Sequence, residues 1–247
     1  MTVDELLKDT VFIFGAGATA EAGCLTSAQM LESLKSSIEN IGESNQRDQF
    51  LTIFRLLTAT LEYQNSFKNF VPSDVQYSAN IEDLVLLLRK IIYRDYYIPA
   101  PLVGNWSDKI TKLELIDIKV FENFLNFITT QLNNSWLKNS KEPDTYNLLK
   151  PIIELLKCIE ESTLEIFTLN YDLVFEHFFN KDGVTNLNTG FNNGKWANSF
   201  NDSKKSDSEA FINYYKIHGS LDWRKSESGE ILCDKDHNPM DDPLIIF

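Results

Sequence analysis

Three short stretches carry residue types suited to chemistry: "VFIFGAG" at 11–17, "TLNYD" at 168–172 and "KIHGS" at 216–220. Asn170 combines an amide donor and an acceptor on one short side chain, which suits it to orient a hydroxyl group or a water molecule. Its simpler role is to cap a turn at a strand end. His218 stands beside Gly219 and Ser220 at the end of a strand-like run, and an imidazole there is suited to move a proton. The other two histidines offer less. His177 lies inside a helical run, and His237 sits in the polar stretch "DKDHNPMDD", where it reads as solvated. A strand that empties into Gly15-Ala16-Gly17 brings bare backbone N–H groups to a phosphate, and its bland counterpart is a tight turn without a ligand.

These residues need strands that end side by side. "VFIFG" reads as a fully buried strand of a parallel sheet covered on both faces. Ala18 to Ala22 suffice for a helical turn that Gly23 can end. Thr26-Ser27-Ala28-Gln29 has the form of a capping box, followed by Met30, Leu31, Leu34, Ile38 and Ile41 at helical spacing. From Gln46 to about Glu160 the pattern is helical. Its apolar stripes are Phe50, Ile53, Phe54, Leu57 and Leu61; Ile81, Leu84, Val85, Leu88 and Ile92; Val120, Phe121, Phe124, Leu125 and Ile128; and Leu148, Leu149, Ile152, Ile153 and Leu156. The stretches 64–80 and 98–108 interrupt it. Strand character returns at 164–172 and 211–223, and residues 181–209 read as a long surface loop. The order predicts an α/β fold: a Rossmann-like parallel sheet, from about 1–42 and 161–247, carrying a large helical insertion at about 43–160. The apolar run "DDPLIIF" predicts that 1–247 is the N-terminal part of a longer polypeptide.

Composition narrows the function. The chain has 247 residues, 43% of them hydrophobic, and a formal net charge of -13. Such an acidic surface is unsuited to nucleic acid, which requires a positive footprint, but a small anion needs only a local nest of N–H groups. Cys24, Cys158 and Cys233 are far apart and form no C-x-x-C pair, so neither a disulfide framework nor a structural zinc site is expected. Cys24 reads as a small apolar filler, with a reactive thiol as the alternative. The acidic N-terminus is unlike a signal peptide, and no apolar run approaches bilayer length. A cytoplasmic location without membrane contact is expected.

Gly15-x-Gly17-x-x-Ala20 satisfies the dinucleotide fingerprint, but the second strand ending in a ribose-binding acid about 20 residues on is missing. A hydride-transfer Rossmann enzyme is therefore not expected. The fuller pattern Gly15-Ala16-Gly17-x-Thr19-x-x-x-Gly23, with "TLNYD" and "KIHGS", resembles the sirtuin superfamily. There such a loop, an N-x-D strand end and an H-G pair meet around one NAD molecule. The resemblance covers the two ends of the chain. It departs from sirtuin deacylases in lacking the zinc-binding cysteine pairs, in having Leu25-Thr26-Ser27-Ala28 after the loop, and in having Leu169 before Asn170. The form "T-x-N-Y-D…K-x-H-G-S-L-D-W" instead resembles the zinc-free sirtuin-like domains of bacterial anti-phage systems.

That resemblance implies an NAD+ hydrolase that depletes NAD+ in an infected cell, with no metal cofactor. It implies Asn170 and His218 as catalytic residues, and Gly15, Ala16, Gly17, Thr19, Gly23, Thr168, Asn170, Asp172 and Gly219 as NAD-binding residues. Asp172 could hold the nicotinamide carboxamide or cap the helix "LVFEHFF", and the two roles are compatible. Related domains often carry acidic residues at a point that could place Glu82 or Asp83 near the ligand, but a capped, solvated helix start explains them equally, and both are left out of the site. Trp196 and Trp223 read as core packing, with covering a ligand ring as the alternative. A homo-oligomer, working with a sensor or ATPase partner or a C-terminal sensor domain, is the implied assembly. The rival functions are a protein deacylase and a non-catalytic module that binds NAD or ADP-ribose.

Overall fold

The computed structural model describes residues 10–70, 78–93, 118–137, 147, 149–152, 154–155, 163–181, 184, 187–197, 211–241 and 243–245. The chain divides into two compact units, Leu25–Leu132 and the segments Met1–Cys24 with Asn133–Ile246. The stretch expected to interrupt the helices at 98–108 and the Leu148, Ile153 and Leu156 positions of the last stripe lie outside the described residues, as does Cys158.

The first of these units is helical because apolar residues recur along its segments every three or four positions. It contains α2 (Ser27–Glu39), α3 (Ser44–Lys68), α4 (Ile81–Ile92) and α5 (Lys119–Gln131), which pack on one another. The capping box forms as its sequence predicts: the Thr26 hydroxyl accepts from the Gln29 N–H, and the Gln29 side chain accepts from the Thr26 N–H. Asn80 caps α4 by accepting from the Asp83 N–H. Phe50 meets Phe124 and Phe127 with ring centroids 5.0 and 5.5 Å apart. α2, placed with the Rossmann-like part on sequence grounds, falls instead in the helical unit. Its Ser27 Oγ donates to Glu82 Oε1 at 3.1 Å, and Ser37 Oγ to Gln131 Oε1 at 3.3 Å.

The other unit holds β1 (Val11–Phe14), α1 (Gly17–Ala20), β2 (Thr163–Thr168), α6 (Val174–Lys181), β3 (Leu187–Asn188), β4 (Phe191–Asn192), β5 (Lys195–Trp196), β6 (Phe211–Lys216), β7 (Gly219–Ser220), β8 (Trp223–Lys225), β9 (Ile231–Cys233) and β10 (Leu244–Ile245). Its main sheet has the order β1-β2-β6-β3 with every pairing parallel, which agrees with an α/β Rossmann-like fold. Phe14, Thr168 and Lys216 stand in one row, so β1, β2 and β6 end at the same edge. The Leu169 N–H donates to the Phe14 carbonyl and the Ile217 N–H to the Thr168 carbonyl, each at 3.0 Å, which continues the rows beyond the strands.

Two expectations are corrected. β1 is not buried on both faces: Val11 is 52% and Ile13 71% exposed, because only the alternate positions of the strand turn toward the packed side. Part of the stretch read as a surface loop is sheet. β3 joins the main sheet, while β4 and β5 pair with β9 and β8 in a second sheet where Phe191, Trp196 and Trp223 pack ring against ring. Both tryptophans thus have packing partners in that cluster.

Gly219 is fixed by the backbone around it. Its φ is +84°, and a Cβ there would collide with the Leu244 carbonyl on β10. Gly229 has a similar φ of +86°, and a Cβ there would meet only Lys225 Cε at 3.9 Å, an ordinary contact, so it isolates the conformational term, about 1–2 kcal/mol for a side chain in this region. Gly219→Ala is expected to lose clearly more stability than Gly229→Ala in urea denaturation. Equal losses would show that β7 and β10 do not pack as described.

Candidate active site

The edge where β1, β2 and β6 end collects the residues singled out above. Beyond β1, Gly15 accepts from the Ala18 N–H at 2.9 Å and opens α1. Neither Gly15 nor Gly17 has a positive φ, and a Cβ on either would meet no heavy atom within 4 Å. Neither backbone strain nor packing therefore demands glycine there. Gly23 differs: its φ of +96° ends the turn after α1.

Beyond β2, one hydroxyl organises the site. Thr19, 1% exposed, donates to Asp172 Oδ2 at 2.7 Å and accepts from Asn170 Nδ2 at 3.1 Å. A carboxylate can only accept, so the Thr19 proton must point at Asp172, and the Thr19 oxygen must face the Asn170 NH2 group. The relay turns the Asn170 carbonyl the other way. Asn170 Oδ1 is buried and has no hydrogen-bond partner. The Asn170 N–H donates to Thr168 Oγ1 at 3.1 Å, which fixes the main chain as well.

Beyond β6, the His218 ring lies 6.1 Å from the Tyr171 ring, inclined by 30°. Its Nδ1 is likewise buried without a hydrogen-bond partner, as are Glu176 Oε2 on α6 and Ser220 Oγ on β7. Buried polar atoms are rarely left unpaired, and each such atom calls for an explanation. Here an acceptor and an imidazole nitrogen are left over on two adjacent strand ends.

The support beneath these groups was not foreseen. Lys216 is buried with Glu176, both side chains 2% exposed, and Lys216 Nζ lies 2.7 Å from Glu176 Oε1. The same ammonium donates to the Asp172 carbonyl at 2.5 Å and the Tyr171 carbonyl at 3.4 Å, so three acceptors match its three protons. The signal was present in "FINYYK": alternation puts Lys216 on the same face as buried Ile212 and Tyr214. Burial raises the carboxyl pKa values of both Asp172 and Glu176, with the Lys216 charge opposing it at each.

The remaining residues sort by what they touch. Asp172 is 3% exposed, and its two oxygens accept from Thr19 and from the Val174 N–H that begins α6. The helix-cap reading is therefore seen, and the same carboxylate positions Thr19. Thr168 is fully buried and holds Asn170, and Gly219 is buried against β10. Cys24 is buried, donates to the Leu137 carbonyl at 3.5 Å, and has its thiol pKa pushed up chiefly by burial, as suits a filler. His237 is corrected. It is not solvated: its Nδ1 lies 2.6 Å from Asp222 Oδ2, and its carbonyl meets His177 Nε2 at 3.0 Å. A reading of local polarity missed this because the partner lies in a separate segment, the turn between β7 and β8.

Removing the Lys216 charge leaves Glu176 uncompensated in the interior. Lys216→Met is expected to cost about 3–5 kcal/mol in urea denaturation, the range for breaking a buried pair from one side. Lys216→Met with Glu176→Met should recover much of that loss. A single variant as stable as the parent would show that the pair does not anchor this segment.

Residues 164–242 match the family model described as "SIR2-like domain". The matched span runs from β2 through the Asn170–Asp172 turn, α6, β6 and His218 to the segment after His237, while the glycine loop and the helical unit lie outside it. No curated protein matches the chain significantly. Among the described residues no helix is long and apolar enough to cross a membrane. The match supports a sirtuin-like domain with NAD-related activity.

Proposed function

We propose that this site binds NAD+ and hydrolyses it to nicotinamide and ADP-ribose. The observation that carries the reading is the pair of buried unpartnered atoms, Asn170 Oδ1 and His218 Nδ1, on adjacent strand ends. Beside them, the glycines of the first loop leave space that their own fold does not use. Open α/β sheets bind ligands outside the carboxyl ends of their strands. Main-chain groups of Gly15, Ala16 and Gly17 approach the diphosphate, with Gly23 closing the loop. Thr19, Thr168 and Asp172 act as positioning residues, and Gly219 sets the path of the chain after His218.

In the reaction, the bond between ribose C1′ and the nicotinamide nitrogen breaks through an oxocarbenium-like state, and a water oxygen takes its place. Nicotinamide leaves neutral, and one proton is released from the water. Asn170 Oδ1 orients that water or the adjoining ribose hydroxyl, and His218 accepts a proton. This balance needs no metal ion. Depletion of NAD+ in a phage-infected cell is the role that the resemblance to anti-phage domains implies, in the cytoplasm, by a homo-oligomer governed by a sensor or ATPase element.

Asn170→Ala and His218→Ala are each expected to lower nicotinamide release at least about a hundredfold with little change in melting temperature. Gly17→Ala separates ligand space from folding. It should keep or raise stability, by up to about 1 kcal/mol, while weakening NAD+ binding measured by calorimetry. Unchanged NAD+ affinity in Gly17→Ala would remove the loop from the site. Products decide the chemistry: ADP-ribose formed without an acyl-peptide supports hydrolysis. Acetyl-ADP-ribose formed only with an acetyl-peptide would replace that reading with deacylation.

A further inference from the structure

A second group of side chains lies outside the proposed NAD+ site. Asp222 follows β7, Cys233 ends β9 and His237 lies in the turn after it. One ligand-type atom from each lies within 4.8 Å of the others. His237 Nδ1 is 2.6 Å and Cys233 Sγ 3.4 Å from the same oxygen, Asp222 Oδ2. Asp222 is 1% exposed, yet its other oxygen, Oδ1, has no hydrogen-bond partner. The Ser220 hydroxyl acts on Asp222 and lowers its carboxyl pKa, yet neither Ser220 Oγ nor Asp222 Oδ1 makes a hydrogen bond of good geometry.

We infer that Asp222, Cys233 and His237 form a binding site for one zinc-class divalent metal ion, with a water as fourth ligand. Imidazole, carboxylate and thiolate together are the donor set of zinc and its spectroscopic substitute cobalt(II). The unpaired Asp222 oxygen gives the ion a buried acceptor that the protein leaves unsatisfied. Charge points the same way. Around Asp222 the interior holds a further carboxylate, Glu176, and Lys216 as the neighbouring fixed cation, so a cation is favoured. The 2.6 Å contact is a hydrogen bond, closer than two ligands of one ion. Bonds of about 2.0–2.3 Å separate tetrahedral ligands by roughly 3.3 Å or more. Metal entry therefore replaces the Nδ1 proton of His237, which leaves from an imidazolium or moves to Nε2 of a neutral ring, and releases the Cys233 thiol proton.

The backbone holds the three segments together. Asp234 Oδ1 accepts from the N–H groups of Asp236 and Asn238, which shapes the turn that carries His237. The Asp234 N–H donates to the Asp222 carbonyl at 2.9 Å, tying that turn to the strand end opposite. The expectation against zinc rested on absent cysteine pairs, and a mixed set from three separate segments escapes that argument. The ion would join the turn between β7 and β8, the end of β9 and the turn after it.

The test uses the full polypeptide, purified without chelator, analysed for metal and then stripped and titrated with cobalt(II). About one zinc per chain as purified, and a thiolate-to-cobalt absorption with tetrahedral visible bands on titration, would support the site. Cys233→Ser should abolish the thiolate band, and Cys24→Ser should keep it. His237→Ala should weaken cobalt affinity by more than about a hundredfold, beyond the roughly 10–100-fold effect of losing an outer hydrogen-bond partner. The wild-type spectrum does not depend on any variant folding. Folded wild-type protein without the thiolate band, or a band that survives Cys233→Ser, would overturn the inference.

Discussion

An ammonium group buried where three backbone and side-chain segments meet is the constraint on which this site depends. Lys216 ends β6, Glu176 lies on α6, and the Tyr171 and Asp172 carbonyls belong to the turn between β2 and α6. An unpaired charge in such a place would be strongly unfavourable, so the three acceptors must all be presented at once. That requirement fixes where the 170–172 turn can lie relative to β6. The turn in turn fixes Asp172, whose carboxylate orients the Thr19 hydroxyl, and Thr19 orients the Asn170 amide.

This is a relay of positions, and each member uses up its neighbour's hydrogen-bonding capacity. Thr19 spends its proton on Asp172 and its oxygen on Asn170, and Asp172 divides its oxygens between Thr19 and the start of α6. What is left at the end is an Asn170 oxygen held in one direction with nothing bound to it. An acceptor oriented before its ligand arrives needs little reorganisation during reaction, which is the usual origin of catalytic advantage in polar sites.

The same interior concentrates negative charge. Asp172, Glu176 and Asp222 are buried, with Lys216 and His237 as the cations that act on them. Burial penalises the Asp222 carboxylate, yet the His237 hydrogen bond, helped by Lys216 and Ser220, holds its pKa below the usual range. Burial also disfavours the imidazolium, but Asp222 and Glu176 outweigh it and lift His237 above the ordinary histidine range. The thiol of Cys233 is pushed up by burial and by Asp222. Compensation by fixed cations is thus uneven along this network. It is tightest at Lys216, beneath the proposed NAD+ site.

What the sequence determined by itself is local. Strand, glycine turn and helix start are each written in a few adjacent residues, and so are the Thr26–Gln29 capping box and the apolar stripes of α3, α4 and α5. Asn170 and His218 could also be picked out, because a strand followed at once by a polar residue and a turn is a local pattern. Tertiary structure decided everything that depends on partners distant in the chain. Thr19 reaches Asn170 across 151 positions and Asp172 across 153. His237 is held by a carboxylate on another segment, so a stretch of polar residues concealed a half-buried ring. The open face of β1 was equally hidden, since strand hydrophobicity does not state which face the fold will cover. Periodicity records how a segment can bury its own side chains. Which buried charge finds which counter-charge is set only when separate strands align in a common register.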